Sequence, residues 1–472
     1  MSPLDPEPCY RALVTRDRRF DGVFFVGVET TGVYCRPICP ARTPGRARCR
    51  FFTHAAEAER EGFRACFRCR PERAPGLASV DAAGKLAERA LARIGAGALD
   101  QQSVDALAKE LGVSERHLRR AVLGATGVAP LELAESRRLG VAKALLQDTA
   151  LPITDVAFAA GFSSLRRFHA SFRSRFACAP SALRKAQSMK IGDRIVLRLD
   201  ARPPFAGARL LAFLAGRAVP GLESVSEEAY RRPCVIDGRR GEVEIKLATD
   251  PERPGVLVEV DAALLPCLPE VLTRVRGMFD LDARPDVIDA HLSSDATLRG
   301  FVRRTPGLRV PGTWDPWELG VRAVLGQQVS VKAATTLTGR LVERFGDPTR
   351  EIFPTAVALS RAGAADIANI GLPASRAATL ARLADAVVSG EVSLDRFGDA
   401  ATLRRALMAI PGIGPWTAGY VVLRALRDPD TFLPGDLGVR RAMNAATERE
   451  AEARSDAWRP WRAYALMHLW MG

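Results

Sequence analysis

At 472 residues the chain is long enough for about three or four domains of ordinary size. Hydrophobic residues make up 47% and charged residues 26%, and these proportions exclude a largely disordered chain. Lysine and arginine total 68 against 54 acidic residues, so the formal net charge of +14 favours a polyanionic partner. The N-terminal run lacks an apolar signal core and no stretch is apolar enough to span a bilayer, so we expect no membrane partner and a reducing, cytoplasmic setting.

Four segments of different composition follow one another along the chain. They are a Cys- and Arg-rich part, a basic helix-patterned part, a strand-patterned part and a helical remainder, and we place them at residues 1–78, 79–188, 189–300 and 301–472. The sequence therefore predicts a multidomain α+β protein.

The first segment contains two closely spaced pairs of cysteines. Three residues separate Cys35 from Cys39, two separate Cys66 from Cys69, and 26 lie between the pairs. This spacing is typical of a four-thiolate tetrahedral site, so we predict that these cysteines bind one zinc ion. Cys49 lies between the pairs and is the rival ligand, although its solitary placement favours an ordinary buried thiol.

The runs around these cysteines, TTGVYCRPICPAR and GFRACFRCRPE, resemble the N-terminal domain of the Ada-type adaptive-response regulators. The resemblance implies that a zinc-bound cysteine irreversibly accepts a methyl group from a methyl phosphotriester in DNA. It also implies that the acceptor is Cys35, the first cysteine of the run CRPIC. The residues alone leave Cys35 and Cys39 as alternatives. Loss of one thiolate charge would reduce repulsion from DNA, so we expect methylation to tighten promoter binding.

The second segment repeats itself at an offset of 49 residues. The matched positions are Val104, Leu107, Ala108, Gly112, Val113 and Ser114 with Ile153, Val156, Ala157, Gly161, Phe162 and Ser163. A small alanine, a turning glycine and a serine placed to cap the next helix are typical of a helix-turn-helix, here present twice. The pair resembles an AraC-type DNA-binding domain over roughly residues 85–186.

The run SLRRFHASFRSR follows the second copy and contains no acidic residue. We expect its arginines to face phosphates and base edges of double-stranded DNA. These arginines are Arg166, Arg167, Arg173 and Arg175. Promoter DNA is the expected partner, and RNA polymerase is a candidate partner of a regulator of this kind.

The third segment alternates apolar and polar residues with period two. RIVLRLD, GEVEIKL and GVLVEVD are predicted strands, and ARLLAFLAGRAV, which lies between the first two, is a predicted helix. This segment is therefore expected to be α+β.

Near the C-terminus, Gly412 and Gly414 in PGIGPWTAGY predict a tight hairpin whose backbone amides can approach a phosphate. Further on, FLPGDLGV puts Asp436 directly after a Pro-Gly break, at the start of a helix. Together with Pro434, these residues resemble the helix-hairpin-helix DNA glycosylases, and in particular the AlkA-type 3-methyladenine DNA glycosylase II. That resemblance extends over about residues 189–472, through RPPFAGARLLAFLAGRAVPGLESV, VRAVLGQQVSV and RPWRAYALMHLW.

The resemblance assigns roles to individual residues. Asp436 would be the carboxylate that stabilises the oxocarbenium-like sugar as the damaged base leaves. An aromatic pocket for the flipped, electron-poor base would be formed by Trp416, Tyr420 and Trp470. Gln328 would fill the gap left by that base, where this type commonly has leucine. Because Trp416 stands where lyase-type relatives have lysine, we predict a monofunctional glycosylase.

Asp428 and Asp430 are the rival carboxylates, and their loop position favours solvated surface acids.

By resemblance, 1–78 is a zinc methyl-acceptor domain, 79–188 the helix-turn-helix domain, 189–300 the TATA-binding-protein-like N-terminal domain of the glycosylase, and 301–472 its helix-hairpin-helix core. We therefore expect a monomeric protein that senses and repairs alkylated DNA. The alternatives are a transcription regulator whose glycosylase-like part only binds DNA, and a repair enzyme whose N-terminal half is only an anchor. No Pro-Cys-His-Arg run occurs, so O6-alkylguanine transfer is not expected.

Overall fold

The computed structural model describes residues 4–76, 78, 84–184, 194–349 and 351–471. The helices are α1 Pro6–Thr15, α2 Ala55–Arg60, α3 Lys85–Gly95, α4 Ala98–Gln101, α5 Val104–Glu110, α6 Glu115–Thr126, α7 Pro130–Asp148, α8 Ile153–Ala159, α9 Leu165–Phe176, α10 Gly207–Ala215, α11 Leu268–Met278, α12 Pro285–Leu292, α13 Arg299–Arg304, α14 Pro316–Leu325, α15 Val331–Phe345, α16 Ala356–Ala368, α17 Ala374–Ser389, α18 Ala400–Met408, α19 Pro415–Ala425, α20 Leu437–Met443, α21 Glu448–Ser455 and α22 Arg462–Met471. The strands are β1 Phe25–Val28, β2 Val33–Cys35, β3 Cys49–Phe52, β4 Arg64–Ala65, β5 Arg194–Asp200, β6 Ser224–Val225, β7 Ala229–Ile236, β8 Arg239–Leu247 and β9 Gly255–Asp261.

The chain forms two compact units. The first comprises residues 1–203, 248–276 and 281–284, and the second comprises 204–247, 277–280 and 285–472. The predicted multidomain α+β class is confirmed, whereas the four segment boundaries stay a prediction. None of the helices that the structure describes combines the length and the apolarity that a membrane span requires.

A four-stranded sheet in the order β3-β1-β2-β4 forms the cysteine-rich part of the first unit. β1 pairs antiparallel with β2 and β3, which places Val26 opposite Cys35, and β2 pairs parallel with β4. Cys49 is buried in an apolar cluster with Cys9 and Phe24, apart from the four cysteines that are the predicted zinc ligands. The prediction that Cys49 is an ordinary buried thiol is therefore confirmed.

The two helix-turn-helix copies are α5–α6 and α8–α9, joined by the long helix α7. The small residues Ala108 and Ala157 are fully buried, as close helix crossing requires. Ser114 caps α6 by accepting a hydrogen bond from the His117 amide at 3.3 Å. The predicted cap Ser163 is wrong: Ser164 caps α9, because the second turn spans residues 160–164 and is one residue longer than 111–114.

Two predicted strands, β5 and β9, have the expected bounds and pair antiparallel within the first unit. In the second unit β8 begins at Arg239, two residues earlier than predicted, and pairs with β7. The helix expected over 208–219 ends at Ala215, because the chain turns at Gly216. β7 was missed because one of its inward-facing residues is Arg232, which is buried and bonded to Glu318 at 2.9 Å.

The helical core of the second unit is one apolar cluster to which α14, α17, α18 and α19 contribute. Its fully buried members include Val324, Leu380, Leu383 and Val422. Both α18 and α19 pack on this cluster, and the turn between them is exposed at Pro411 and Gly412. The predicted hairpin and the predicted helix that begins behind Asp436 are both present.

Candidate functional site

The four predicted ligands form one cluster in the first unit. Their sulfur atoms all lie within 4.8 Å of one another. Sulfurs bound to zinc at about 2.3 Å in a tetrahedron are roughly 3.8 Å apart, so the cluster needs little adjustment to bind the ion. Strand ends and tight turns supply the cysteines, with Cys35 at the end of β2 and Cys66 directly after β4.

Electrostatics within the cluster also call for a cation. Hydrogen bonding with Cys39 and Cys66, together with burial, raises the pKa of Cys35, whereas hydrogen bonding with Cys35 lowers the pKa of Cys66. Four sulfur atoms this close cannot all carry a negative charge unless a cation lies among them. The donor set therefore fits one Zn²⁺.

Backbone amides distinguish the sulfurs from one another. The Arg36 amide donates to Cys69 Sγ and the Arg68 amide donates to Cys66 Sγ, both at 3.4 Å. Hydrogen bonding with Cys35 and, to a smaller extent, with the Ala41 amide lowers the pKa of Cys39. Among the described residues no amide donates to the Cys35 sulfur. A donated hydrogen bond stabilises thiolate charge and so weakens nucleophilicity, and the Cys35 sulfur is the one of the four without such a described donor.

Buried cations hold the backbone of the cysteine loops. Arg36 is fully buried, with Nε bonded to Asp21 Oδ1 at 2.7 Å and Nη1 to Asp200 Oδ2 at 2.8 Å. Burial opposes this charge, but Asp21 and Asp200 outweigh that effect and raise the pKa of Arg36 above its usual value. Lys143 of α7 is also fully buried, and its Nζ donates to the Cys66 carbonyl at 3.0 Å. The roles of Arg36 and Lys143 were not predicted, because the residues that they bind are distant in the sequence.

The arginines of α9 divide into two groups. Arg166, Arg167 and Arg173 are exposed, as expected of side chains that meet DNA. The expectation for Arg175 is wrong. Its guanidinium forms an ion pair with Glu59 of α2, which also accepts a hydrogen bond from the Tyr34 hydroxyl at 2.9 Å. Arg175 therefore joins α9 to the residue that precedes Cys35.

The first helix-turn-helix copy also presents cations, which the sequence reading did not single out. Arg116 and Arg120 are exposed on α6, the helix equivalent to α9. The repeat itself was the available signal, since it places α6 in the same position as α9. Both copies can therefore contact phosphates.

A cavity of about 970 Å³ lies within the second unit. Its lining contains every residue predicted for base removal: Gln328, Gly412, Gly414, Trp416, Tyr420, Asp436 and Trp470. These residues come from α19, α22 and three separate turns. The structure thus brings together the predicted residues around a single space.

Asp436 is half-buried at the cavity and caps α20. Its Oδ1 accepts a hydrogen bond from the Val439 amide at 3.0 Å, and its Oδ2 accepts one from Trp416 Nε1 at 2.9 Å. The rival acids are engaged elsewhere and do not line the cavity. Asp428 accepts a hydrogen bond from Thr431 Oγ1 at 2.6 Å, and Asp430 accepts one from Arg462 Nε at 2.8 Å.

The aromatic residues form a continuous wall. Trp416 and Tyr420 are stacked, with ring centroids 5.3 Å apart and planes 6° from parallel. Trp470 is tilted against Tyr420 at a centroid distance of 6.3 Å. Burial would raise the pKa of Tyr420, but the guanidinium groups of Arg424 and Arg217 outweigh it and lower that pKa. Both arginines were missed; for Arg424 the available signal was its place inside the apolar run VVLRAL.

The hairpin turn lies beside this wall. Gly412 has φ +97°, and the Gln327 amide Nε2 donates to its carbonyl at 2.9 Å and to Thr417 Oγ1 at 3.1 Å. Gln328, the predicted gap filler, is exposed with φ +55°. Gln327 was missed, and it joins the turn that carries Gln328 to the hairpin.

Four family descriptions match successive parts of the chain. They are the metal binding domain of Ada over residues 8–72, a helix-turn-helix domain over 107–186, the AlkA N-terminal domain over 196–315, and the HhH-GPD superfamily of base excision DNA repair proteins over 321–462. The matched residues include the four clustered cysteines and most of the cavity lining, but not Trp470.

Individual relatives agree with these matches. A Mycobacterium tuberculosis protein, described as a probable bifunctional transcriptional activator/DNA repair enzyme AlkA, is 40% identical over 99% of this chain and 96% of its own length. DNA-3-methyladenine glycosylase 2 of Escherichia coli is 35% identical over 58% of this chain and 95% of its own length. A solved 3-methyladenine DNA-glycosylase from Archaeoglobus fulgidus shares the fold, with a TM-score of 0.50 and 23% identity over 58% of this chain and 97% of that structure.

Proposed function

Because the chain belongs to the family of bifunctional transcriptional activators and DNA repair enzymes that join an Ada-type part to an AlkA-type glycosylase, we propose two reactions for it. We also propose the residues that perform each reaction. Alkylation repair and its regulation are combined in one polypeptide, and DNA is its partner. The sulfur cluster holds one zinc ion. One reaction takes place at the cavity and the other at the sulfur cluster.

At the cavity, the reaction is release of alkylated bases of the 3-methyladenine type by a monofunctional glycosylase. The observation that supports it is the meeting of Asp436 with Trp416, Tyr420 and Trp470 around one space. The flipped base stacks on the aromatic wall. As the glycosidic bond breaks, the base keeps the electron pair, Asp436 stabilises the cationic sugar, and water adds to C1′ and loses a proton.

Free-base release from methylated duplex DNA tests this reaction. We expect Asp436→Asn to lower the release rate by roughly 100-fold or more, as removal of a charge-stabilising group does elsewhere. Asp428→Asn is the matched control, because it removes a nearby carboxylate that does not line the cavity, and it should leave the rate unchanged. If neither the wild-type protein nor Asp436→Asn releases bases, the C-terminal part only binds DNA.

At the sulfur cluster, the reaction is irreversible methyl transfer from a methyl phosphotriester to Cys35. When bound, zinc keeps the cysteines as thiolates at neutral pH. The Cys35 sulfur attacks the methyl carbon, a sulfur–carbon bond forms, and the departing phosphodiester takes the electron pair of the broken carbon–oxygen bond. The absence of a donated amide hydrogen bond at Cys35, among the residues described, favours it over Cys39, Cys66 and Cys69.

Peptide mass spectrometry after incubation with methylated DNA tests the acceptor. We expect a single added methyl group on the peptide that contains Cys35, and none on peptides that contain only Cys66 and Cys69. A methyl group on Cys39 would contradict the argument from amide hydrogen bonds, and a methyl group found only outside residues 35–69 would contradict the acceptor site itself.

Methylation should also regulate DNA binding through charge. Four thiolates with Zn²⁺ carry a net charge of −2, and methylation of one leaves −1, so repulsion from nearby phosphates falls by roughly 1–4 kcal/mol before screening. Binding to the protein's own promoter, measured with unmodified and methylated protein, tests this. Equal affinities would contradict it.

Further assignments concern DNA contacts, oligomeric state, location and a protein partner. The DNA-contacting residues include Gly412, Gly414, Arg166, Arg167 and Arg173, and Gln328 fills the gap in the duplex. The protein acts as a monomer in the cytoplasm, and as an activator it engages RNA polymerase. Sedimentation of the free protein tests the monomeric state, and transcription from its promoter with purified polymerase tests the activator role.

A further inference from the structure

The indole of Trp416 makes a polar contact that stacking on a base does not require. Its Nε1–H donates to Asp436 Oδ2 at 2.9 Å. The other carboxylate oxygen, Oδ1, accepts from the Val439 amide at 3.0 Å. Both oxygens of Asp436 are therefore held, one by the backbone of its own helix and the other by a side chain from α19.

The Trp416 ring is itself held in place, although it is 36% exposed. It stacks almost parallel on Tyr420, and the Tyr420 hydroxyl accepts a hydrogen bond from Arg424 Nη1 at 3.0 Å. Arg424 is buried, and its other nitrogens donate to the carbonyls of Pro311 at 3.0 Å and Gly312 at 2.8 Å. A series of contacts thus runs from buried backbone, through Arg424 and Tyr420, to Trp416.

We propose that Trp416 is a positioning residue for Asp436 and not only part of the wall that receives the base. This inference rests on the proposed role of Asp436. With Val439 it prevents the carboxylate from rotating, so that the remaining lone pairs of Asp436 face the cavity. A preorganised carboxylate stabilises the developing sugar cation without having to reorient during the reaction.

Replacement by phenylalanine separates the two roles of Trp416. Trp416→Phe keeps an aromatic ring but removes the N–H that Asp436 accepts. Because a hydrogen bond to a charged group is worth roughly a 10- to 100-fold change in equilibrium, we expect the single-turnover rate of base release to fall by about that factor. The enzyme concentration that gives half the maximal rate should change less than about threefold, since stacking is retained.

Trp470→Phe is the matched comparison. It removes an indole N–H from the same cavity at a residue whose ring contacts Tyr420 but which has no described hydrogen bond to Asp436. We expect it to change the half-saturating concentration more than the single-turnover rate. Thermal unfolding of both variants should match that of the wild type, which excludes a general loss of structure.

The substrate is dimethyl-sulfate-treated duplex DNA, and the decisive arm is the double variant. If Trp416 acts through Asp436, Trp416→Phe should cause no further loss in the Asp436→Asn background. A wild-type single-turnover rate for Trp416→Phe would overturn the positioning role, as would additive losses in the double variant. Wild-type release by Asp436→Asn would instead contradict the proposed function itself.

Discussion

Gly412 and Gly414 are both glycines of the hairpin turn, yet the structure gives them different reasons to be glycine. Gly412 has φ +97°, and a Cβ there would lie 2.0 Å from Thr379 Oγ1. Gly414 has φ −90°, and a Cβ there would meet nothing within 4 Å. The fold therefore requires the first glycine, whereas only a close partner outside the protein would require the second.

Alanine at each position separates folding from DNA contact. We expect Gly412→Ala to lower the free energy of unfolding by about 2 kcal/mol or more, because positive φ and a clash with Thr379 both oppose the side chain. Gly414→Ala should change that free energy by less than about 0.5 kcal/mol but weaken DNA binding by about tenfold. Denaturant unfolding and fluorescence anisotropy measure the two effects, and unchanged DNA affinity for Gly414→Ala would contradict a phosphate contact there.

His468 on α22 links the stability of the second unit to pH. It is buried and neither ring nitrogen has a hydrogen-bond partner among the described residues, so burial lowers its pKa from 6.5 to about 4. Between pH 6.5 and about pH 4, His468 therefore binds a proton in the unfolded chain but not in the folded chain. Stability should be fully present above pH 6.5 and fall as the pH drops to about 4, by up to about 3 kcal/mol from this group.

His468→Leu isolates that contribution from the titration of carboxylates. The difference in unfolding free energy between wild type and variant should change by about 3 kcal/mol between pH 7 and pH 4 in favour of the variant. Parallel stability curves for the two proteins would contradict the buried neutral histidine.

The presence of Asp436 at the cavity, and of the four cysteines in one cluster, could be predicted from local spacing. Asp436 follows a Pro-Gly break, and the cysteine pairs have a spacing that few other sites share. Arg424, Gln327 and Lys143 were not predictable, because each acts on a residue far away in the chain, at Tyr420, Gly412 and Cys66 respectively. A single long polar side chain in an apolar run shows that a buried partner exists, but not which one.

The helix α9 has one exposed basic face and one face that packs within the protein. Its exposed face carries Arg166, Arg167 and Arg173, and its other face places Arg175 against Glu59, whose side chain is 5% exposed. Removing Arg175 would leave a buried carboxylate without its cation. Arg166 has no hydrogen bond or ion pair with another side chain in the part of the chain that the structure describes.

Two alanine variants on α9 test this division. We expect Arg175→Ala to lower the unfolding free energy of the first unit by about 3 kcal/mol, the usual cost of breaking a buried ion pair. Arg166→Ala should leave stability unchanged and lower the salt dependence of duplex binding by about one phosphate contact. Equal stability of the two variants would show that Arg175 is a surface residue after all.

Regular elements were predictable where the local pattern was strong. β5 and β9 have the predicted bounds because their inward positions are aliphatic. β7 was hidden by Arg232, whose inward position is stabilised by Glu318 and by the Tyr230 hydroxyl. The cap of α9 differs from prediction by one residue because adjacent serines at 163 and 164 both suit a cap, and only the longer turn selects Ser164.

Over the whole molecule, composition distinguishes four segments, whereas packing produces two compact units. Residues 1–203 pack as part of one compact unit, so the sulfur cluster and both helix-turn-helix copies belong together with β5. The buried Arg36 explains part of this, since it joins Asp21 beside the cluster to Asp200 at the end of β5. Local patterns mark changes of composition, but a buried ion pair across such a change cannot be inferred from them.

We propose that one chain performs two chemically separate reactions on alkylated DNA, at Asp436 and at Cys35. The most direct test is the fate of a radioactive methyl label on duplex DNA that carries both methylated bases and methyl phosphotriesters. Label is counted as free base and as protein-bound methyl for wild type, Asp436→Asn and Cys35→Ser. We predict that Asp436→Asn loses only the free-base label and that Cys35→Ser loses only the protein-bound label. Undiminished free-base label from Asp436→Asn would contradict the role of Asp436, and undiminished protein-bound label on Cys35→Ser would contradict the role of Cys35.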